Sequence, residues 1–172
     1  MKHTWNLVKP VVVLGVLCLV VSVALAFTNG LTADIIYERE NADTVAARRQ
    51  LLPDAEEFEI VEESFDGVQD IAVADTGEVV ITGVAAGYGG DVPVMVAFDG
   101  DAIVAAQVLE ISETPGVGDQ IVTNPDFIGQ FAGMAAQPFP VDAVDTISGA
   151  TVSSTAVVEA INNAIAAYEQ VK

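Results

Sequence analysis

Hydrophobic and polar positions divide the chain into three stretches of different rhythm. Val11 to Phe27 reads VVVLGVLCLVVSVALAF, seventeen residues without a charge. From Thr32 to about Gln50, TADIIYERENADTVAARRQ is polar and helix-compatible, with Ile35, Ile36, Val45 and Ala46 as sparse apolar positions. It predicts a helical stalk ending at Leu51-Leu52-Pro53, because proline disfavours helix in the residue before it. Beyond Pro53 the rhythm shortens. EEFEIVEES (Glu56–Ser64), DIAVAD (Asp70–Asp75) and EVVITGVAAG (Glu78–Gly87) predict strands, the last two joined by a turn at Thr76-Gly77. PVMVAFD (Pro93–Asp99) and AIVAAQVLE (Ala102–Glu110) flank Gly100 and predict a hairpin with an Asp-Gly turn.

Two helical segments follow. FIGQFAGM (Phe127–Met134) predicts a short helix with Phe127 and Phe131 on one face. From Ser154 to about Gln170, Val157, Ile161, Ala164, Ile165 and Tyr168 recur at helical spacing and form one apolar stripe. The expected class is α+β, an antiparallel sheet with surrounding helices, preceded by one N-terminal transmembrane helix. The expected domains are a membrane anchor at 1–30, a stalk at 31–53 and an exported domain at 54–172.

The apolar run spans roughly 26 Å as a helix, close to the core of a thin bilayer. Lys2 and Lys9 precede it; Asp34, Glu38 and Glu40 follow it. The positive-inside rule then keeps the N-terminus in the cytoplasm and exports everything after about residue 30. A cleavable signal peptide is the competing reading, because Ala24-Leu25-Ala26 fits a small-x-small cleavage site. Cys18 lies mid-run behind Leu17, which does not suit a lipobox.

Charge narrows the chemistry. Six Lys and Arg stand against 25 Asp and Glu, a formal charge of −19. The exported part keeps only Arg39, Arg48, Arg49 and Lys172, and no basic residue lies between Arg49 and Lys172. So acidic a surface excludes sequence-nonspecific nucleic-acid binding. His3 and Cys18 are the sole His and Cys, which excludes zinc sites, Ser-His-Asp triads and disulfide frameworks from the exported domain. A Schiff-base lysine, an arginine finger and a Walker-type lysine are missing as well. Any bound phosphate has to be held by backbone N–H groups and helix dipoles.

One segment suits that task. Asp145-Thr146-Ile147-Ser148-Gly149-Ala150-Thr151-Val152-Ser153-Ser154 is a small-residue loop opening onto the last helix. Gly149 and Ala150 permit close backbone approach, and Ser153 or Ser154 is placed to cap the helix. A helix N-terminus favours an anion. The same features also describe a plain, well-capped turn.

The DxxSGAT pattern of Asp145 to Thr151 resembles the covalent flavinylation motif of exported FMN-binding domains. Gly87-Tyr88-Gly89-Gly90 is similar to that family's GYGG segment. Glu113-Thr114-Pro115-Gly116-Val117-Gly118 is similar to its ETPGLG loop, with Val117 for the usual Leu. Phe127 to Phe131 matches its "F…QF" stretch, and VSSTAVVEAINNAI the helix after the acceptor. With an anchor, a stalk and an LLP step, order and size look most like the G-subunit family of Rnf-type ion-translocating electron-transport complexes. The related C-type subunits of sodium-pumping quinone reductases and free-standing exported flavinylated carriers share the motif. A non-redox anion-binding or assembly domain is the reading without it.

The resemblance implies FMN as cofactor, joined by a flavin transferase to Thr151 through a phosphoester. It implies Asp145 as transferase recognition, and Ser148, Gly149, Ala150, Val152, Ser153, Glu113, Thr114, Pro115, Gly116, Gly118 and Tyr88 as cofactor contacts. Tyr88 either stacks on the flavin or packs in the core. Implied partners are the membrane, other membrane subunits of the complex and the transferase during maturation. The implied role is an electron carrier with no catalytic side chain and no metal, rather than a stand-alone catalyst.

Overall fold

The structure, a computed structural model, describes residues 2–109 and 111–172, with side chains at 10, 12–28, 43–109 and 111–172. It separates into two compact units, residues 1–45 and 46–172. The first is helical: α1 runs Lys2–Leu51, its last turns belonging to the second unit. Among the described residues no helix is long and apolar enough to cross a membrane. The anchor expected at 1–30 lies partly outside the described side chains. Within the described part, Val12, Leu14, Leu19, Leu25 and Phe27 are all exposed.

The second unit is built on a five-stranded meander in the order β1-β2-β3-β4-β5, every neighbouring pair antiparallel. The strands are β1 Phe58–Ile60, β2 Val68–Ala74, β3 Val79–Ala86, β4 Asp91–Asp99 and β5 Ala102–Val108. The β4–β5 turn has Gly100 at φ +56°. Glu110, in the expected second strand of that hairpin, lies outside the described residues.

The sheet is covered on both faces, which explains why β3 and β4 read as nearly continuous apolar runs. Alternation still sorts the side chains. Ile81, Val94, Val96 and Phe98 join the cluster that includes Val157, Ile161, Ala164, Ile165 and Tyr168 of α4, Thr151–Val171. Val80, Met95 and Ala97 pack instead with Ala47, Leu52 and Ala55. There the last turn of α1 is fastened by the buried Arg48, ion-paired with Asp70 on β2.

Three elements differ from the sequence expectation, two in their bounds and one in being unannounced. The helix expected over Phe127–Met134 is earlier and shorter, α3 Pro125–Gly129. Asn124 caps it, its Oδ1 accepting from Asp126 N at 3.0 Å and Phe127 N at 3.4 Å, with Pro125 in the first turn. Phe131 lies past its end yet still meets Phe127 edge-on, with centroids 5.7 Å apart. A one-turn helix, α2 Gln120–Thr123, has no periodic signal to announce it. Finally, α4 begins at Thr151 rather than Ser154, because Ala150 already accepts the first helical bond from Ser154 N at 2.8 Å. That shift puts Thr151 in the first turn.

Candidate functional site: a cleft at the start of the last helix

In a meander, alternate strands leave by the same end. The β3–β4 turn at 87–90 and the loop after β5 at 111–118 therefore emerge together, and α4 delivers its N-terminus beside them. Asn163 fixes the helix against β3, its Nδ2 donating to Val84 O at 3.0 Å. Tyr88, Glu113, Thr114, Val117, Gly118 and Gly149–Ser153 line a cleft of about 490 Å³ between the three segments, a volume in the range of small-ligand sites.

The floor of the cleft is the start of α4. Gly149 reaches it with φ +84°, a left-handed conformation that costs glycine little and other residues about 1–2 kcal/mol. The N-cap is Ala150, with no side-chain hydrogen bond, so neither Ser153 nor Ser154 caps the helix as expected. Ser154 is buried and its Oγ accepts from Ile147 N at 3.1 Å, which ties the motif loop down. Ser153 is also buried and is turned the other way, toward Glu113. The Thr151, Val152 and Ser153 N–H groups precede the first helical bond and carry the positive end of the helix dipole. Thr151 and Val152 are exposed, and the Thr151 hydroxyl has no hydrogen-bond partner among the described residues.

Behind this floor lies Glu113, buried at 8% exposure. Its Oε1 accepts from Tyr88 N at 2.9 Å and Gly89 N at 3.0 Å; its Oε2 accepts from Ser153 Oγ at 2.7 Å. Burial raises the Glu113 pKa. The bonds from the Gly89 N–H, the Ser153 hydroxyl and the Tyr88 N–H outweigh burial and hold it below the usual glutamate value. The group is thus an internal carboxylate whose donors come from the 87–90 turn and from α4. The loop that carries it turns on the Thr114 carbonyl, which accepts from Val117 N at 3.2 Å and Gly118 N at 2.9 Å.

The implied site residues fall into two clefts, apart from Pro115 and Gly116. Tyr88, Glu113, Thr114, Gly118, Gly149, Ala150, Thr151, Val152 and Ser153 share the cleft. Tyr88 is 76% exposed, which removes the core alternative for its ring. Pro115 and Gly116 are exposed and are not among its lining residues. Ser148 and Asp145 line a second cleft of about 340 Å³ with Gln120, Asn124, Asp126, Phe127 and Gln130. Gln130 grips the motif there: Asp145 N donates to its Oε1 at 2.9 Å, and its Nε2 donates to Asp145 O at 3.1 Å.

The first cleft fits a flavin nucleotide in its chemistry. Uncapped N–H groups suit a phosphate where the surrounding sequence has no Lys or Arg. An exposed tyrosine with Val117 and Val152 offers apolar surface to a flat ring. In the sequence Val117 stands out only as a departure from a motif, and Gln130 only as part of a matching stretch.

Residues 87–166, which contain every lining residue of the first cleft, match the family model described as FMN-binding domain. The chain is 30% identical to the G subunit of the ion-translocating oxidoreductase complex of Stutzerimonas stutzeri, over 88% of this chain and 76% of that one. It is 30% identical to the corresponding G subunit of Methanosarcina acetivorans over 96% of each chain. Its fold is similar to the crystal structure of the C subunit of Na+-translocating NADH-quinone reductase from Parabacteroides distasonis. That match has TM-score 0.52 and 22% identity and covers 67% of this chain and 77% of that one, a likeness of fold alone. By its identity to relatives over most of their length, the chain belongs to the G-subunit family of ion-translocating oxidoreductase complexes.

Proposed function

We propose that the protein is a membrane-anchored electron-transfer subunit that carries FMN covalently on Thr151 and works within an Rnf-type ion-translocating complex. The observation that carries this reading is the position of Thr151. Its free hydroxyl stands in the first turn of an uncapped helix, inside a cleft formed by three segments that all fall within the FMN-binding match.

Bound FMN supplies the electron-accepting and electron-donating chemistry. The chain's residues do the rest. In the covalent step Thr151 Oγ bonds to the flavin-side phosphorus of an anhydride-activated flavin donor as that phosphorus's anhydride P–O bond breaks; the other phosphate half leaves, and the hydroxyl proton passes to solvent. A flavin transferase mediates it, with Asp145 as part of what it reads. The N–H groups of Thr151, Val152 and Ser153 then face the phosphate charge. Tyr88, Val117 and Val152 offer surface to the ring, and Thr114 and Gly118 complete the lining. A covalent tether keeps the local flavin concentration high in a compartment where dissociation would mean loss.

The exposed apolar side chains of α1 from Val12 to Phe27 support a single membrane anchor, with residues 1–30 inserted and 31–53 as stalk. Lys2 and Lys9 orient it with the N-terminus in the cytoplasm and the flavin domain outside. Partners in this reading are the other membrane subunits of the complex.

The test is the full chain co-expressed with a flavin transferase, beside Thr151→Ala. Ultraviolet fluorescence of the wild-type band on a denaturing gel, absent from the variant, is the expected result. Dark bands for both, with an active transferase, would sink the reading.

A further inference from the structure

We propose that Glu113 is a positioning residue that assembles the acceptor cleft before any flavin arrives, and that its negative charge is what the assembly needs. The proposal rests on the reading of Thr151 as acceptor and adds to it the reason why the acceptor is presented.

Three observations meet at this side chain. Tyr88 N, Gly89 N and Ser153 Oγ all donate to it, so two segments far apart in sequence are joined through one carboxylate to the loop that bears it. An ionised carboxylate is acceptor-only and suits three donors, whereas its protonated form would bring a donor of its own. The backbone is shaped around the group: a Cβ at Gly87 would collide with Glu113 Oε1, and one at Gly118 would lie 2.6 Å from Oε2. Gly118 is therefore explained by the Glu113 side chain it encloses, and Gly87 by that carboxylate together with Val92 and the Gly90 carbonyl. Engagement of the Ser153 hydroxyl has a further consequence. Ser153 stands in the first turn of α4, where a free hydroxyl competes for backbone N–H groups. Drawn to Glu113, it leaves those groups to the cleft and leaves Thr151 as the exposed hydroxyl of the turn.

Glutamine at 113 separates charge from shape. Its carbonyl still accepts from the Tyr88 and Gly89 amides, and Ser153 can reverse to accept from the new NH₂. Alanine removes all three bonds. The experiment compares wild type, Glu113→Gln, Glu113→Ala and Ser153→Ala as full chains. Flavin incorporation by the transferase is followed in initial rate. Hydrogen exchange of apo protein at 87–90 and at 154–157, the first bonded amides of α4, is read against β4 as internal control.

In Glu113→Gln we expect incorporation slowed about tenfold and a loaded flavin with a more positive midpoint potential, because a fixed negative charge beside the cleft disfavours the reduced anion. Glu113→Ala should speed exchange at 87–90 and 154–157 with β4 still protected, and should slow incorporation further. Ser153→Ala should loosen the α4 side and leave the Tyr88 and Gly89 amides protected. If Glu113→Ala unfolds outright, Glu113→Gln and Ser153→Ala decide the matter. Wild-type incorporation rate, exchange and potential in Glu113→Gln would overturn the charge requirement. Unchanged exchange at both segments in Glu113→Ala would overturn the brace itself. A dark wild-type band fails the acceptor reading instead, and the exchange data on apo protein still decide whether Glu113 braces the cleft.

Discussion

The two ends of α4 are made of the same helix and treated in opposite ways. At its C-terminal end the Tyr168 ring stacks on Phe98, with centroids 4.4 Å apart and planes 10° off parallel. The Tyr168 hydroxyl donates to Gly100 O at 2.8 Å, and Lys172 pairs with Asp101. At the N-terminal end the cap is an alanine, Thr151 and Val152 are exposed, and the nearby carboxylate holds the helix through Ser153 without capping it. The difference is one of purpose. The C-terminal end fixes the helix on the sheet through Tyr168; the N-terminal end leaves the Thr151, Val152 and Ser153 N–H groups open at the cleft. A helix held firmly at one end presents the other without needing to close it.

The largest expected effect on stability lies at the anchored end. Phe98→Ala removes a fully buried ring and should cost about 3–5 kcal/mol in urea unfolding. Whatever remains folded should still accept flavin. Full stability with lost labelling would break the assignment of roles to the two ends.

Ser153→Ala comes next, at about 1.5–3 kcal/mol, because it takes a donor from a buried, ionised acceptor. Its pH dependence has a definite sign. The folded-state pKa of Glu113 is lowered, so the ionised form stabilises the fold. That contribution is complete above the ordinary glutamate range and is lost as pH falls through the lowered folded value. The gap between wild type and Ser153→Ala should accordingly be full at neutral pH and narrow in acid. A gap that widens in acid would show that Glu113 is not held as the carboxylate.

Gly149→Ala should cost about 1 kcal/mol or more through its positive φ, and should slow flavin incorporation by disturbing the entry to α4. Lys172→Ala is the smallest. Its ion pair with Asp101 is solvent-exposed, and melting should be unchanged within error at physiological salt. A clear loss would mean that the C-terminal end relies on charge and not on the Phe98–Tyr168 stack.

Most of the sheet and the stripe of α4 can be read from the chain, because alternation and helical spacing are local signals. Val157, Ile161, Ala164, Ile165 and Tyr168 are all buried, as the spacing requires. Boundaries are less legible. The serines before Val157 place the start of α4 three residues late, since serines are good caps in general and nothing local says that Ser153 is engaged elsewhere. Its partner is 40 residues away in sequence. Separations of 24 to 40 residues hide a second role of Glu113, which lines the cleft and whose oxygens accept from Tyr88, Gly89 and Ser153. Asn124-Pro125 is a local start signal for α3, outweighed in the reading by the two phenylalanines that follow it. The four residues of α2 carry too little pattern to be read at all.

The open end of α4 is the attachment point proposed for the flavin. Proteolysis of the flavin-loaded full chain, followed by fragmentation mass spectrometry of the peptide spanning 145–155, tests it most directly. The account predicts a single added FMN, through its phosphate, on Thr151. FMN on Ser148, in the neighbouring cleft, or on Ser153, or an unmodified peptide from a fluorescent protein, would contradict it.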